Sequence, residues 1–276
     1  MLKFDRLKSL VADKKVLFLV SAFNGATQAV YSSLGGLFGQ VAVHSSIDIK
    51  AIKKFGPDMI LCPYLLDYIP EEVYEAYPCF IFHPGPANVG GPSSLAHSIL
   101  RGDKTFSISL IQAAKGWDKG PLWAEEQIEL KAGSLAKNYR CKVIPKAAGL
   151  FTQALVNYFE GAKPLQRGEY RYEAAIKPRD LTFDWTEDAQ SILSKIWAGD
   201  NQPGASATFM GQDCSFFSAW ASTPSDSKSQ TVAGEVLNKK NGALEIACGN
   251  GAIWVARIQP PESRKNRAHL SLPEEE

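Results

Sequence analysis

Short uninterrupted apolar runs alternate with helical patterns through the first part of the chain. Runs of this kind, apolar on both faces, are typical of strands in a parallel sheet that helices cover on both sides. We predict strands at 15–22, 41–44, 59–62, 79–82 and 106–112. Helical patterns run through Leu34, cover 49–55, begin again near Glu71 and cover 134–159. This alternation predicts a doubly wound, Rossmann-like α/β domain with a mostly parallel sheet, over residues 1–165.

The pattern changes after the last of these helices. The stretch KPLQRGEYRYEAAIKPRD is polar and punctuated by proline, which favours an interdomain linker. One amphipathic helix is predicted at 184–198, and short strands follow at 215–219, 234–237, 243–247 and 253–258. Turn residues at 241–242 and 249–251 separate the last three strands. We therefore predict a second domain, 166–276, built as a small OB-like β-barrel.

Composition narrows the class of protein. Hydrophobic residues make up 45% of the chain and charged residues 21%, with a net charge of +1, which gives no reason to expect nucleic acid or a membrane surface as a partner. No apolar run reaches the roughly 20 residues of a membrane-spanning helix, and the charged N-terminus does not resemble a signal peptide. The five scattered cysteines form no C-x-x-C pair. We expect a cytoplasmic protein with buried reduced thiols and no metal.

Two side chains are placed for chemistry. His83 directly follows a predicted strand, and ligands of such sheets bind beyond the carboxyl ends of the strands. Asp118 lies in a glycine-bearing loop after the next strand, where a carboxylate beside an imidazole would orient it. A structural histidine and a turn-forming aspartate are the alternative interpretations. The glycines at 85, 90 and 91 precede a predicted helix start at 93–94, whose amides are suited to an anion.

The motifs around these residues resemble a known family. The stretch PDMILCPYLLDYIPEEVYEAYPCFIFHPGPANVGGPSSL and the later WDKGPLWAEE are similar to the formyltransferase superfamily, whose members use 10-formyltetrahydrofolate. SAFNGATQ and HPGP…GPSSL resemble the formyltransferase half of the HypX/HoxX hydrogenase-maturation family. DWTEDAQSILSKIWAGDNQPGA is similar to the start of the superfamily's small C-terminal domain, so the resemblance runs over the whole chain.

The resemblance implies a set of site residues. The superfamily's catalytic pattern, Asn-x-His with an Asp-x-Gly loop, matches at His83 and Asp118, but Ile81 stands at the asparagine position. Loss of such an oxyanion donor costs on the order of a hundredfold in rate. His83, a backbone amide and Asn24 are the alternative donors. The family also implies that backbone groups of the tripeptide Asp67-Tyr68-Ile69 hold the pterin ring of the folate, with Asn24 and Asp118 nearby.

The HypX/HoxX pattern carries Gly-Asp-Arg-Gly before Pro-Ser-Ser, whereas this chain has Asn88-Val89-Gly90-Gly91. The acid and the arginine of that loop are therefore missing here. We therefore expect this loop to be held less tightly, or to dock a different group, than the loop of that family.

The resemblance further implies formyl transfer to coenzyme A, as a first step towards carbon monoxide for the nickel–iron hydrogenase, with hydrogenase-maturation proteins as partners. The enoyl-CoA-hydratase-like half of those proteins is expected to be missing from this chain. An amine or nucleotide-sugar formyltransferase, or a formyltetrahydrofolate hydrolase, is the alternative activity. A folate-binding module without catalysis is the alternative of a different class.

Overall fold

The computed structural model describes residues 3–200, 202–223 and 231–268. The chain divides into two compact units. The first comprises Met1–Ser94, Thr105–Leu130 and Tyr139–Ala174, and the second comprises Leu95–Lys104, Lys131–Asn138 and Ala175–Glu276. The single domain boundary at 165–166 stays a prediction.

A six-stranded sheet forms the centre of the first unit. Its strands, together with the short β5, are β1 (Lys15–Leu19), β2 (Gln40–His44), β3 (Met59–Cys62), β4 (Cys79–His83), β5 (Val89–Gly90), β6 (Thr105–Gln112) and β7 (Leu122–Glu129). The sheet order is β2-β1-β3-β4-β6-β7. The pairings among β2, β1, β3 and β4 are parallel, and those of β6 with β4 and β7 are antiparallel. The predicted α/β class with a mostly parallel sheet is confirmed.

Helices cover both faces of this sheet. Those of the first unit are α1 (Lys3–Val11), α2 (Gly25–Leu34), α3 (Ile49–Phe55), α4 (Glu71–Tyr74) and α7 (Ile144–Phe159). The chain also forms α5 (Ser94–Arg101) and α6 (Leu135–Asn138), but α6 and nearly all of α5 belong to the second unit. Helices α1 and α2 pack against α7, which also contacts β4, β6 and β7. A second apolar cluster joins Ile52 of α3 and Val73 of α4 to Leu17, Ile60 and Cys79 of the strands.

The prediction of one continuous helix at 134–159 is wrong. It is divided into α6, a π-helical turn at Tyr139–Val143, and α7. Pro145 lies in the first turn of α7, where its missing N–H and its ring do not disturb an established helix. The apolar period passes through all three segments, so periodicity alone did not reveal the division.

An antiparallel sheet dominates the second unit. After β8 (Arg171–Tyr172), its elements are α8 (Ala189–Gly199), β9 (Ala205–Phe209), β10 (Gln212–Ala221), β11 (Val236–Lys240), β12 (Ala243–Ala247), β13 (Ala252–Gln259) and β14 (Asn266–Arg267). The order is β11-β12-β13-β10-β9, with β14 beside β13. Asn241 and Gly242, with φ of 53° and 82°, make the tight turn that the sequence predicts between β11 and β12. Closure of the sheet into a barrel stays a prediction.

Several features of the second half differ from prediction, among them the unpredicted strand β9 and the extension of β10 beyond 215–219 at both ends. Helix α8 begins at Ala189 and not at 184, because Asp184 accepts hydrogen bonds from the backbone and hydroxyl of Thr186, and Asp188 then caps the helix. Strand β11 begins after Gly234, whose φ of 88° lies in the left-handed region. β8, inside the predicted linker, pairs in parallel with β5 and is therefore part of the first unit.

The thiols also differ in part from expectation. All five cysteines are free, and four of them are buried as predicted, but Cys141 is exposed. No helix in the described part of the chain is both long and apolar enough to cross a membrane.

Candidate active site

His83 is the last residue of β4 and its side chain is buried, with 5% of the residue exposed. The imidazole Nε2 lies 2.6 Å from the carbonyl oxygen of Val89. A carbonyl can only accept a hydrogen bond, so Nε2 carries the proton of this contact. In the neutral ring the basic lone pair is therefore on Nδ1.

Asp118 faces that lone pair. Its Oδ1 lies 3.8 Å from His83 Nδ1, and both side chains are largely buried. Its Oδ2 accepts a hydrogen bond of 3.2 Å from the backbone N–H of Gly91. When the imidazole is neutral, Nδ1 and Oδ1 are both acceptors, so the gap between them suits a proton or a donor group of a ligand. The pair can take up a proton and stabilise the resulting imidazolium.

The backbone around this pair is tightly constrained. Asp118 has φ of 51°, a left-handed conformation that costs an L-residue roughly 1–2 kcal/mol. Gly85 lies so close to His83 that a Cβ there would stand 2.3 Å from Nε2. The Gly85 carbonyl accepts a 2.7 Å hydrogen bond from the buried hydroxyl of Ser109, on β6. The conformation of both loops is therefore specified by surrounding contacts.

Sequence reasoning missed several residues that surround His83 and Asp118. Ser109 is fully buried between the apolar Ile108 and Leu110 of β6, and a hydroxyl within such an apolar run is a signal that the sequence does contain. The Ser94 hydroxyl, at the start of α5, is buried next to Gly85 and has no hydrogen-bond partner within the described residues. Arg167 donates to the carbonyl oxygens of Asp118 and Gly120 at 2.6 Å each, from a segment that reads as a linker.

A cleft of about 460 Å³, partly open to solvent, adjoins Asp118. Its wall combines apolar side chains with the backbone of two loops. The lining residues are Leu65, Asp67, Tyr68, Ile69, Ile81, Ile111, Gln112, Ala113, Ala114, Gly116, Trp117, Asp118, Lys119 and Gly120. The rings of Tyr68 and Trp117 meet edge to face at 5.2 Å, and the Tyr68 hydroxyl accepts a hydrogen bond from the N–H of Gly116. These contacts join the two loops on either side of the cleft.

The structure brings most of the predicted site residues together. Asp67, Tyr68, Ile69, Ile81 and Asp118 all line this one cleft. His83 is not among the lining residues and approaches the cleft through Asp118.

Asn24 is the exception among the predicted residues. It caps α2, where its Oδ1 accepts from the N–H groups of Ala26 and Thr27 at 3.1 Å, and it is not in the cleft lining. The Asn-x-His position is filled by an apolar side chain, Ile81, which offers no hydrogen bond to a ligand.

Burial controls the protonation of the groups near the cleft. It raises the pKa of the Tyr170 hydroxyl, the charges of Asp118 and Tyr172 raise it further, and Arg167 opposes them. The hydroxyl therefore stays protonated at neutral pH and donates to the carbonyl of Trp117 at 2.9 Å. Burial also raises the pKa of Cys79 to about 12 and that of Cys62 well above its ordinary value. Both thiols are therefore unreactive at neutral pH.

No group of three or more His, Cys, Asp or Glu side chains with metal-binding geometry occurs within the ranges that the structure describes.

Comparison with known proteins relates both halves of the chain to formyl transfer. Residues 175–271 match the model of the formyl transferase C-terminal domain. The hydrogenase maturation factor HoxX of Bradyrhizobium diazoefficiens is 26% identical over 263 residues, which cover 91% of this chain and 46% of HoxX. A methionyl-tRNA formyltransferase of a Janthinobacterium species is 27% identical over 245 residues, covering 86% of this chain and 75% of that protein.

The fold is similar to that of HypX from Aquifex aeolicus, solved in complex with tetrahydrofolic acid. The TM-score is 0.83 at 29% identity, over 95% of this chain and 47% of HypX. This chain therefore spans about half the length of HoxX and of HypX.

Proposed function

Because this chain belongs to the formyltransferase superfamily, we propose that it takes the formyl group from 10-formyltetrahydrofolate in the cleft of the first unit. The observation that carries the proposal is the facing pair of His83 Nδ1 and Asp118 Oδ1, 3.8 Å apart, with the carboxylate on the cleft wall. The tetrahydrofolic acid complex of HypX supports a folate as the donor.

The proposed binding mode requires no change in the conformation of the cleft. Backbone groups of 67–69 receive the polar edge of the pterin, as the superfamily resemblance implies, and the apolar walls from Ile81 and Ile111 cover its ring faces. The formyl carbon then lies beside Asp118, within reach of the imidazole.

His83 and Asp118 then move the proton that the transfer requires. As the acceptor attacks the formyl carbon, His83 Nδ1 takes the acceptor's proton, and the Asp118 carboxylate stabilises the imidazolium. His83 returns the proton to N10 of the folate as the bond between that nitrogen and the formyl carbon breaks. One bond to carbon forms, one breaks, and the proton passes from acceptor to leaving group.

The negative charge that develops on the formyl oxygen needs a donor other than residue 81. Ile81 supplies none, and Asn24 lies outside the cleft lining. The protonated His83 and main-chain N–H groups of the cleft loops remain as donors. We infer a lower rate than an enzyme with asparagine at this position, by on the order of a hundredfold.

We propose coenzyme A as the acceptor, as the resemblance to the HypX/HoxX family implies; the similarity to HoxX and HypX covers more than nine-tenths of this chain. Hydrogenase-maturation proteins are the proposed partners on the same ground. Transfer to an amine or a sugar amine, and hydrolysis, are the alternative outcomes when the acceptors are compared directly.

The pair is tested by His83→Ala and Asp118→Asn, with release of tetrahydrofolate measured in the presence of coenzyme A. We expect each variant to lose at least about 100-fold in rate, because general acid–base catalysis contributes at least that much. Asp13→Asn, which changes an exposed carboxylate remote in the fold, is the control and should leave the rate unchanged. Near-wild-type release by both site variants would contradict the assignment.

A further inference from the structure

The segment 167–173, which we call the strap, lies inside the stretch that the sequence presents as a linker. Its backbone instead pairs with the glycine loop that follows His83. Arg171 N–H donates to Asn88 O and Glu173 N–H donates to Gly90 O, both at 2.9 Å. The strap is therefore hydrogen-bonded to the loop whose Val89 carbonyl and Gly91 N–H contact the catalytic pair.

The fit between strap and loop leaves no room for a side chain at two positions. A Cβ on Gly90 would lie 2.2 Å from the Tyr170 hydroxyl, and one on Gly91 would lie 1.9 Å from the carbonyl oxygen of Glu173. Gly91 also has φ of 123°, which an L-residue rarely adopts. Gly90, which stands where the HypX/HoxX loop pattern has arginine, and Gly91, which that pattern shares, therefore allow the strap to approach this closely.

Arg167 extends the strap to the second loop. Its Nη1 donates to Gly120 O and its Nη2 donates to Asp118 O, each at 2.6 Å, and Nη2 also donates to Ala87 O. One guanidinium thus binds carbonyl oxygens from both the loop after His83 and the loop that carries Asp118. Hydrogen bonds from a charged donor are stronger than those between neutral groups.

The hydrogen bonds from Arg167 stabilise an uncommon backbone conformation at Asp118. Asp118 holds a left-handed φ of 51°, and its own carbonyl oxygen is one that Arg167 binds. Tyr170 adds a hydrogen bond from its hydroxyl to the carbonyl of the preceding residue, Trp117. Without these donors the peptide is free to relax, and the carboxylate would turn away from His83 Nδ1.

We propose that the strap is a positioning element of the active site and that Arg167 is its positioning residue, which holds the Asp118 carboxylate opposite His83. The inference deepens the proposed function and rests on it. Arg167 does not touch the substrate; it acts through the backbone of Asp118. A displacement of about 1 Å at a reacting group can cost on the order of a hundredfold in rate.

The kinetic test compares Arg167→Ala and Arg167→Lys with Arg179→Ala, an arginine of the same polar stretch whose side chain is 78% exposed. We expect kcat for tetrahydrofolate release to fall about 30- to 100-fold in both Arg167 variants, with KM for the folate within about threefold. Arg179→Ala should match wild type. Millimolar guanidinium chloride should restore part of kcat in Arg167→Ala only, because it can enter the vacated position. Equal kcat values in the Arg167 and Arg179 variants would overturn the proposal. So would a loss of kcat in Arg167→Ala that guanidinium does not restore and that is explained by unfolding of the variant.

A second readout does not depend on turnover. Nitrogen-15 NMR of the His83 ring, whose signals are identified by their absence in His83→Gln, reports the tautomer and the hydrogen bonding of the ring nitrogens. We expect Arg167→Ala to change the ring nitrogen chemical shifts, because the Asp118 carboxylate moves away from Nδ1, and Arg179→Ala to leave them as in wild type. If the wild type releases no tetrahydrofolate but the ring responds to Arg167, the proposed function fails and the strap stands. If the wild type is active and Arg167→Ala changes neither kcat nor the signals of the His83 ring, the positioning role of the strap is refuted and the proposed function is retained.

Discussion

At the scale of single residues, Gly85 shows how closely the histidine is confined. A Cβ at this position would lie 2.3 Å from His83 Nε2 and 2.9 Å from Ser94 Oγ. Gly85→Ala must therefore displace the imidazole from the Val89 carbonyl. We expect tetrahydrofolate release to fall at least about tenfold and stability to fall by about 1–3 kcal/mol from overpacking.

The control for this substitution is Gly36→Ala, where an added Cβ meets nothing within 4 Å. Steady-state release and thermal unfolding of the two variants are compared with wild type. Equal activity in Gly85→Ala and Gly36→Ala would show that the ring position does not matter for turnover.

The residues that we propose for catalysis were partly predictable. His83 stands at the carboxyl end of a strand that the apolar pattern reveals, where ligands of such sheets bind. Asp118 follows β6, which is antiparallel to β4 and therefore ends at the opposite edge of the sheet, so the expectation that both residues belong to strand ends on one side is wrong; the loop 113–120 brings Asp118 to His83 instead. Arg167 was not predictable, because its role depends on three backbone carbonyls that are distant in sequence. Nothing in the local sequence marks an arginine that binds backbone from one that faces solvent.

At the scale of elements, α7 offers a matched pair of glycines. Gly149 lies on the exposed side of the helix with open space around it, whereas Gly161 follows the helix end with φ of 72°. Gly149→Ala should stabilise the protein by about 0.5–1 kcal/mol through lower backbone entropy in the unfolded chain. Gly161→Ala should destabilise it by about 1–2 kcal/mol, since alanine resists the left-handed conformation.

Urea unfolding followed by circular dichroism measures both changes. The prediction concerns their opposite signs, which do not depend on the absolute scale. A shift of the two midpoints in the same direction would contradict the helix assignment or the φ at 161.

The start of α8 predicts a pH dependence. Burial opposes ionisation of Glu187, but hydrogen bonds from Lys195, Asp184 and Ser191 outweigh it and lower the pKa below the ordinary value of 4.5. A lowered folded-state pKa means that the stabilisation is complete above 4.5 and is lost as the pH falls through the lower folded value. Glu187→Gln should destabilise the protein by about 0.5 kcal/mol at pH 7, since the ion pair is partly exposed.

Thermal unfolding of wild type and Glu187→Gln between pH 7 and pH 3 tests this sign. The difference between the two proteins should narrow as the solution is acidified. A difference that stays constant or widens towards pH 3 would show that the ionised Glu187 carboxylate is not the source of the stabilisation.

Helices and strands were predictable where the apolar pattern fitted only one type of element. They were not predictable where polar contacts determine the start or the pairing of an element. Buried strands such as Met59–Cys62 were predicted at their observed bounds. The strap was misread because polar, proline-punctuated sequence is typical of linkers, and β8 is held by backbone hydrogen bonds to residues far away in the sequence. The predicted start of α8 at 184 was wrong because Asp184 and Asp188 both resemble N-cap residues. The turn at Thr186, which uses the Asp184 side chain, leaves Asp188 as the cap.

At the scale of the whole molecule, the comparisons extend the resemblance beyond single motifs. Similarity to HypX covers 95% of the chain, and both the α/β sheet and the antiparallel sheet were expected from the order of the elements. The π-helical turn and the contacts of the strap depend on tertiary packing, which the sequence pattern does not contain. Acceptor identity is likewise a property of the whole active site and not of any one motif.

The central claim is that this chain removes the formyl group from the folate. The most direct measurement incubates it with 10-formyltetrahydrofolate labelled with carbon-13 in the formyl group, separately with coenzyme A, an amine and water, and identifies the product by mass spectrometry. We predict labelled formyl-coenzyme A in amounts equal to the tetrahydrofolate released, and none from His83→Ala. Label that remains on the folate with every acceptor, although the folate binds, would contradict the claim and indicate a binding module without catalysis.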